Sequence, residues 1–130
     1  MILDTNAVSD LLAGSPALAA VLDESDRHHL PVIVLGEYRY GLLGSRHRRQ
    51  LERLLDVLER GSYLLAPDRD TAVHYALIRR QLRTEGHPLP ENDIWIAALA
   101  QQHGLAVASR DAHFDHIQGI RRIGWQATSD

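Results

Sequence analysis

Four carboxylates far apart in the chain, Asp4, Glu37, Asp93 and Asp111, occupy positions that an α/β fold would gather together. Asp4 follows the apolar opening Met1-Ile2-Leu3, Glu37 follows the run 30–35, and Asp111 comes three residues after the run 105–108. Open α/β sheets bind ligands outside the carboxyl ends of their strands, so these acids share one rim if those runs are strands. Asp93 opens Asp93-Ile94-Trp95-Ile96-Ala97-Ala98-Leu99-Ala100, a stretch apolar almost all round. A helix of that kind is buried, so its first-turn acid points into the fold and needs a partner there. One cation meets that need for several acids at once. Hard oxygen donors, with no Cys and no zinc-type His spacing, suit Mg²⁺ or Mn²⁺.

Each acid also has a plainer reading. Asp4 can cap a helix that starts at Thr5, and Glu37 can lie on an exposed helix face. Asp93 can be a first-turn acid beside a capping Asn92, and Asp111 a turn residue after Ser109-Arg110. No one of them is diagnostic alone, whereas the set, drawn from separate segments, is harder to dismiss. The eight His residues, among them His28, His29, His113 and His116, read as surface or packing groups.

The elements that must position these acids alternate along the chain. Strands are expected at 1–3, 30–35, 62–66, 105–108 and 121–123, with 30–35 the best candidate for the central one. Helical stretches are expected at 5–13, from Pro16 onward, at 36–43, 46–60 and 70–83, and from a capping Asn92 to 102. Gly14, Gly86 and Gly104 close three of them. Such alternation argues for a single α/β domain over 1–130 with a mostly parallel sheet.

Composition excludes several chemistries. There is no Cys, which removes disulfides, thiolate metal sites and thiol nucleophiles. All 14 basic residues are Arg, so a P-loop lysine and Schiff-base catalysis are both impossible. A net charge of -3 is unusual for a nucleic-acid binder, but carboxylates clustered around a cation are neutralised locally. The arginines are bunched at Arg46-His47-Arg48-Arg49, at Arg79-Arg80 with Arg83, and at Arg121-Arg122. Each bunch is either a polyanion contact or a solvated helix face. The opening does not resemble a signal peptide, and no apolar run nears the ~20 residues that a bilayer requires, so a cytoplasmic protein is expected.

The same residues carry a resemblance. Leu3-Asp4-Thr5-Asn6 resembles the opening of PIN domains, and Glu37-Tyr38-Arg39-Tyr40-Gly41 resembles their acid-hydrophobic-x-x-glycine element. Asp93-Ile94-Trp95-Ile96-Ala97-Ala98 and Ser109-Arg110-Asp111-Ala112-His113-Phe114 resemble the two later motifs, with Gly119 and Trp125 also in familiar places. The order is kept over nearly the whole chain. Ser109 stands where Thr is usual and Tyr38 where Leu or Ile is common, and neither change touches an acid.

The resemblance implies a PIN-like three-layer α/β/α domain with a central, mostly parallel sheet of four to five strands. It implies a ribonuclease whose acids bind Mg²⁺ or Mn²⁺, similar to VapC toxins of VapBC pairs. Those toxins cut RNA, are silenced by a small antitoxin protein, and form homodimers or toxin–antitoxin hetero-oligomers. Carried over residue by residue, the catalytic and metal-binding set is Asp4, Glu37, Asp93 and Asp111, with Asp4 and Asp93 as direct ligands and Thr5, Asn6 and Ser109 in support. Asp115 rivals Asp111 for the fourth place, because one helical turn from Ala112 would put both on one face and send Phe114 into the core.

Other readings are a housekeeping RNA-processing nuclease of the same family and a non-catalytic, metal-stabilised interaction module. A response-regulator receiver resembles a fold that needs a Lys, which is absent. A haloacid-dehalogenase-type phosphatase would need Asp where Asn6 stands.

Overall fold

β1 (Ile2–Leu3) lies at the centre of a five-stranded sheet whose neighbouring strands all run parallel. β2 (His29–Pro31) and β3 (Tyr63–Leu65) extend it on one side, β4 (Val107–Ala108) and β5 (Arg122–Ile123) on the other. The computed structural model describes residues 1–22 and 27–126. Parallel strands cannot be joined by tight turns, so each connection carries helices. α1 (Thr5–Leu12) and α2 (Pro16–Val21) precede β2, and α3 (Val32–Leu42) and α4 (Arg48–Arg60) precede β3. α5 (Arg69–Glu85) and α6 (Glu91–His103) precede β4, and a 3₁₀ turn (Ala112–His116) leads to β5. The expected three-layer α/β/α domain is what forms, with a sheet that is parallel throughout.

A parallel sheet is covered on both faces, which is why its strands are apolar without alternation. Ile2, Leu3, Leu30, Val107 and Ala108 are fully buried. α6 is the most enclosed helix, with Ile94, Ile96, Ala97, Ala98, Leu99 and Ala100 all buried. Local signals set the helix ends. Ser15 accepts from the Leu18 amide at 3.2 Å, Asp68 and Thr71 form a reciprocal capping box, and Gly86 and Gly104 close α5 and α6 at φ 72° and 64°. Those left-handed φ values are cheap for glycine and strained for other residues.

Two expected boundaries move. The apolar run 30–35 is a strand only as far as Pro31, and Val32-Ile33-Val34-Leu35 are the first turn of α3. β1 has two residues and β3 three, so a six-residue β2 would carry unpaired backbone groups, which a helix satisfies internally. β2 is also not central, since that place belongs to β1. Glu37 therefore sits within α3 rather than at a strand end. Asn92 does not cap α6 either. The helix begins at Glu91, with Pro90 in the cap position, its carbonyl accepting from the Asp93 and Ile94 amides. The fixed φ of proline starts the helix early, and Asn92 falls inside the first turn.

Phe114, on the 3₁₀ turn, is fully buried in the core, as expected. Replacing it with Ala should lower unfolding free energy by about 3–5 kcal/mol in urea titration. Tyr40→Ala, at a ring 79% exposed, should change it by less than about 0.5 kcal/mol. Equal effects would mean that the turn is not anchored by its ring.

Candidate functional site

Strand register builds the first contact. Ile2 pairs with Val107 and Leu3 with Ala108, so the next residues of the two strands, Asp4 and Ser109, emerge side by side at the carboxyl edge. Both are buried. The Asp4 carboxylate accepts from the Ala7 amide at 2.9 Å, capping α1, and from the Ser109 hydroxyl. That hydroxyl in turn accepts from the Asp111 amide at 3.0 Å. One short polar chain thus ties the first acid to the backbone of the fourth. The capping reading of Asp4 holds, and the same carboxylate stands at the carboxyl edge of the sheet.

Asp93, in the first turn of α6, and Asp111, at the start of the 3₁₀ turn, complete a like-charged group with Asp4. Burial raises the Asp4 pKa from 3.8 to about 6, and the charges of Asp93 and Asp111 add to the rise against the lowering by its hydrogen bonds. Asp93 is shifted upward as well, chiefly by burial, with Glu37 and Asp111 adding to it and His113 opposing it. Glu37 stands on α3 at the edge of this group, accepting from the Thr5 hydroxyl at 3.1 Å. The four acids therefore face one another electrostatically across α1, α3, α6 and the 3₁₀ turn.

Arginines near the cluster are turned elsewhere. Arg110 pairs with Asp10 at 2.9 Å, and its amide donates to Asn6 Oδ1 at 3.2 Å. Trp125 Nε1 donates to the same Asp10 at 2.9 Å. Asn6, Asp10, Arg110 and Trp125 thus brace α1 against the loop that carries Asp111.

Asp115 is held by a guanidinium instead. Its two oxygens take Arg122 Nε and one terminal nitrogen at 2.9 and 3.1 Å, which holds its pKa below the usual carboxylate range. The expectation that residues four apart share a face fails because the turn is 3₁₀, with three residues per turn.

His113 was missed as a site residue, having been read as surface or packing. Its Nε2 stands 3.1 Å from Asp93 Oδ2 and its Nδ1 3.4 Å from Asp111 Oδ1. Nε2 is buried, and its approach to Asp93 is close without making a satisfied hydrogen bond. The available signal was its position two residues after Asp111, directly before the core-anchored Phe114.

Hard carboxylate donors in a partly buried, mutually repelling group fit Mg²⁺ or Mn²⁺ by chemistry. As the side chains stand, no three His, Asp or Glu groups among the described residues converge closely enough to hold one ion. His113 fills the space between Asp93 and Asp111, and Asp4 is turned toward its cap. The cleft between α5 and α6, lined by Arg79, Arg83, Leu89 and Ile94, contains none of the four acids.

Known proteins match this architecture over its whole extent. Toxin FitB of Neisseria gonorrhoeae is 34% identical over 121 residues, covering 85% of this chain and 87% of its own. The VapC ribonuclease Y4jK of Sinorhizobium fredii is 34% identical over 137 residues, covering 97% and 98%. Among solved structures, the DNA-bound VapBC complex of Salmonella typhimurium superimposes with a TM-score of 0.83 at 28% identity, covering 96% of this chain and 97% of that one. The sequence model of the PIN domain matches residues 1–120, and the chain belongs to the PIN domain family.

Proposed function

We propose that this chain is a divalent-metal-dependent ribonuclease and the toxin component of a toxin–antitoxin pair. The observation that carries the proposal is the like-charged group of buried Asp4, half-buried Asp93 and exposed Asp111, with which no arginine among the described residues forms an ion pair, and in which burial lifts the Asp4 pKa to about 6. Relatives named as VapC ribonucleases and as a toxin support both the reaction and the biological role. Among the described residues no helix is long and apolar enough to cross a membrane.

Asp4 and Asp93 are the direct metal ligands in this reading, and Asp111 and Glu37 complete the shell or hold the attacking water. When bound, Mg²⁺ or Mn²⁺ supplies an acidified water and positive charge opposite the phosphodiester. Hydrolysis adds the water oxygen to phosphorus and releases a ribose oxygen, which takes up a proton. The chain's own work is positioning. Thr5 orients Glu37, Ser109 orients Asp4 and the Asp111 backbone, and His113 braces Asp93 and Asp111 from between them.

Cleavage of RNA should vanish in EDTA and return with Mg²⁺ or Mn²⁺. Asp93→Asn should lower kcat at least a hundredfold. Asp111→Asn should cost more activity than Asp115→Asn and be partly rescued by extra Mg²⁺. Metal-independent cleavage, or an active Asp93→Asn, sinks the mechanism, and the reverse order for the last pair reassigns the fourth acid.

A pH signature follows from Asp4. Its carboxyl ionises near 3.8 unfolded and at about 6 folded. The raised folded value means that the metal-free fold loses stability as pH climbs from about 4 to about 6, by at most about 3 kcal/mol. Asn keeps the capping oxygen and drops the charge. In EDTA at pH 7.5, Asp4→Asn should melt at least about 3 °C above wild type, with the gap closing toward pH 4. An Asn variant that melts lower at pH 7.5 shows that Asp4 is not under strain from burial and like charge.

Expressed alone, the protein should arrest growth, and co-expression of a small antitoxin encoded beside it should relieve the arrest. Normal growth at high expression of active protein argues for a housekeeping nuclease instead.

A further inference from the structure

The acid group opens at Thr5 and Glu37 into a cleft of about 310 Å³ between α1, α3 and the start of α4, floored by Tyr38, Leu42 and Leu51. Ser45 and Leu51 also line it. Those residues are chain neighbours of Arg46 and Gln50, which line a second concavity of about 480 Å³ together with His47, Arg48, Arg49 and Arg53. The two hollows are thus lined from adjoining stretches of chain at the α3–α4 connection and the start of α4, the second walled by basic and amide side chains.

The ion pairs of the chain decide between a polyanion contact and a solvated face. Arg48 is taken by Glu52 at 2.7 Å, and Arg39, on the neighbouring helix, is taken by Asp56 and Glu59. Arg46, Arg49 and Arg53 have no acidic partner among the described residues, and all three are exposed around the bowl. Arg49 and Arg53 are four apart on α4 and so share a face.

We propose that the cleft and the arginine bowl form one track for single-stranded RNA, with Arg46, Arg49 and Arg53 gripping backbone phosphates beyond the scissile bond. The inference rests on the ribonuclease reading and deepens it. An acidic cluster in a chain of net charge -3 repels the strand it must cut, so the attraction has to be supplied at a distance from the acids. Guanidinium forks suit phosphate oxygens, and the ring and aliphatic floor of the cleft suits ribose and base. The track leads to a phosphodiester-cutting site, which favours RNA over an acidic protein segment as its occupant.

The test uses the full chain carrying Arg46→Gln, Arg49→Gln and Arg53→Gln. The control carries Arg60→Gln, Arg69→Gln and Arg80→Gln, exposed positions off the track with the same change in charge. Cleavage of a long unstructured RNA in Mg²⁺ should show KM raised at least tenfold by the track variant, with a smaller change in kcat. The control should match wild type. In the Asp93→Asn background, anisotropy with the same RNA should show the salt slope of binding reduced by about 2, as expected for three lost phosphate contacts on a single strand. Equal KM and slope in track variant and wild type would make the bowl a solvated face. Unchanged RNA binding with weakened antitoxin binding would make it a protein-docking surface. Equal losses in track variant and control would reduce the effect to net charge. If wild-type protein neither binds nor cuts RNA, the ribonuclease reading itself falls, which is a separate result from a wild type that cuts and a track variant that cuts as well.

Discussion

A carboxylate withdrawn from water beside two others is an unfavourable arrangement, and most of the local structure around Asp4 exists to hold it. The register of β1 on β4 leaves no choice about where Asp4 emerges, since Leu3 opposite Ala108 puts it beside Ser109. The Ala7 amide and the Ser109 hydroxyl recover part of the lost hydration. They do not recover all of it, because the net shift remains upward to about 6. The remainder is a stored preference for positive charge at the carboxyl edge of the sheet. Asp93 and Asp111 enlarge that preference from two other elements, and each is fixed by the apolar segment that follows it, the buried face of α6 and the ring of Phe114.

The preference survives only because the chain keeps its own cations away. An arginine follows Ser109 directly, next to Asp111 in the chain, and a guanidinium inside the cluster would offset part of its charge. Asp10 removes it, drawing Arg110 to α1, and Trp125 fixes Asp10 in turn. Asp115 does the same for Arg122. These surface ion pairs contribute little to stability, but they decide where positive charge does not go. His113 is placed differently, its ring standing between Asp93 and Asp111 with one nitrogen 3.1 Å and the other 3.4 Å from a carboxylate oxygen.

Much of this was legible in the sequence. Alternating apolar runs and glycine stops gave the α/β layers, and the positions after strands 1–3 and 105–108 gave Asp4 and Asp111. The all-apolar stretch after Asp93 announced a buried helix with an acid at its mouth. What failed depended on partners that a local pattern does not contain. Val32-Ile33-Val34 reads as strand by composition, yet neighbouring strands of two and three residues leave it nothing to pair with. Asp115 rivalled Asp111 only on the expectation that a helical turn would put both on one face, and the turn is 3₁₀, with Asp115 paired to Arg122. His113 had no spacing motif to mark it, because its two acidic neighbours come from different elements.

The charge of Asp4, Asp93 and Asp111 bears on both halves of the proposed function, cleavage and silencing. Any cation of suitable size answers the charge on Asp4, Asp93 and Asp111, whether it is a metal ion or the guanidinium of a partner protein. Only the metal brings an acidified water with it. A basic side chain in the same place would satisfy the carboxylates, stabilise the fold by the same linkage, and leave no nucleophile. Inhibition then requires no rearrangement of the sheet or helices. Under the proposed function, the charge that would draw a metal is also what a competing partner would answer, and a site relaxed enough to need no cation would serve neither purpose.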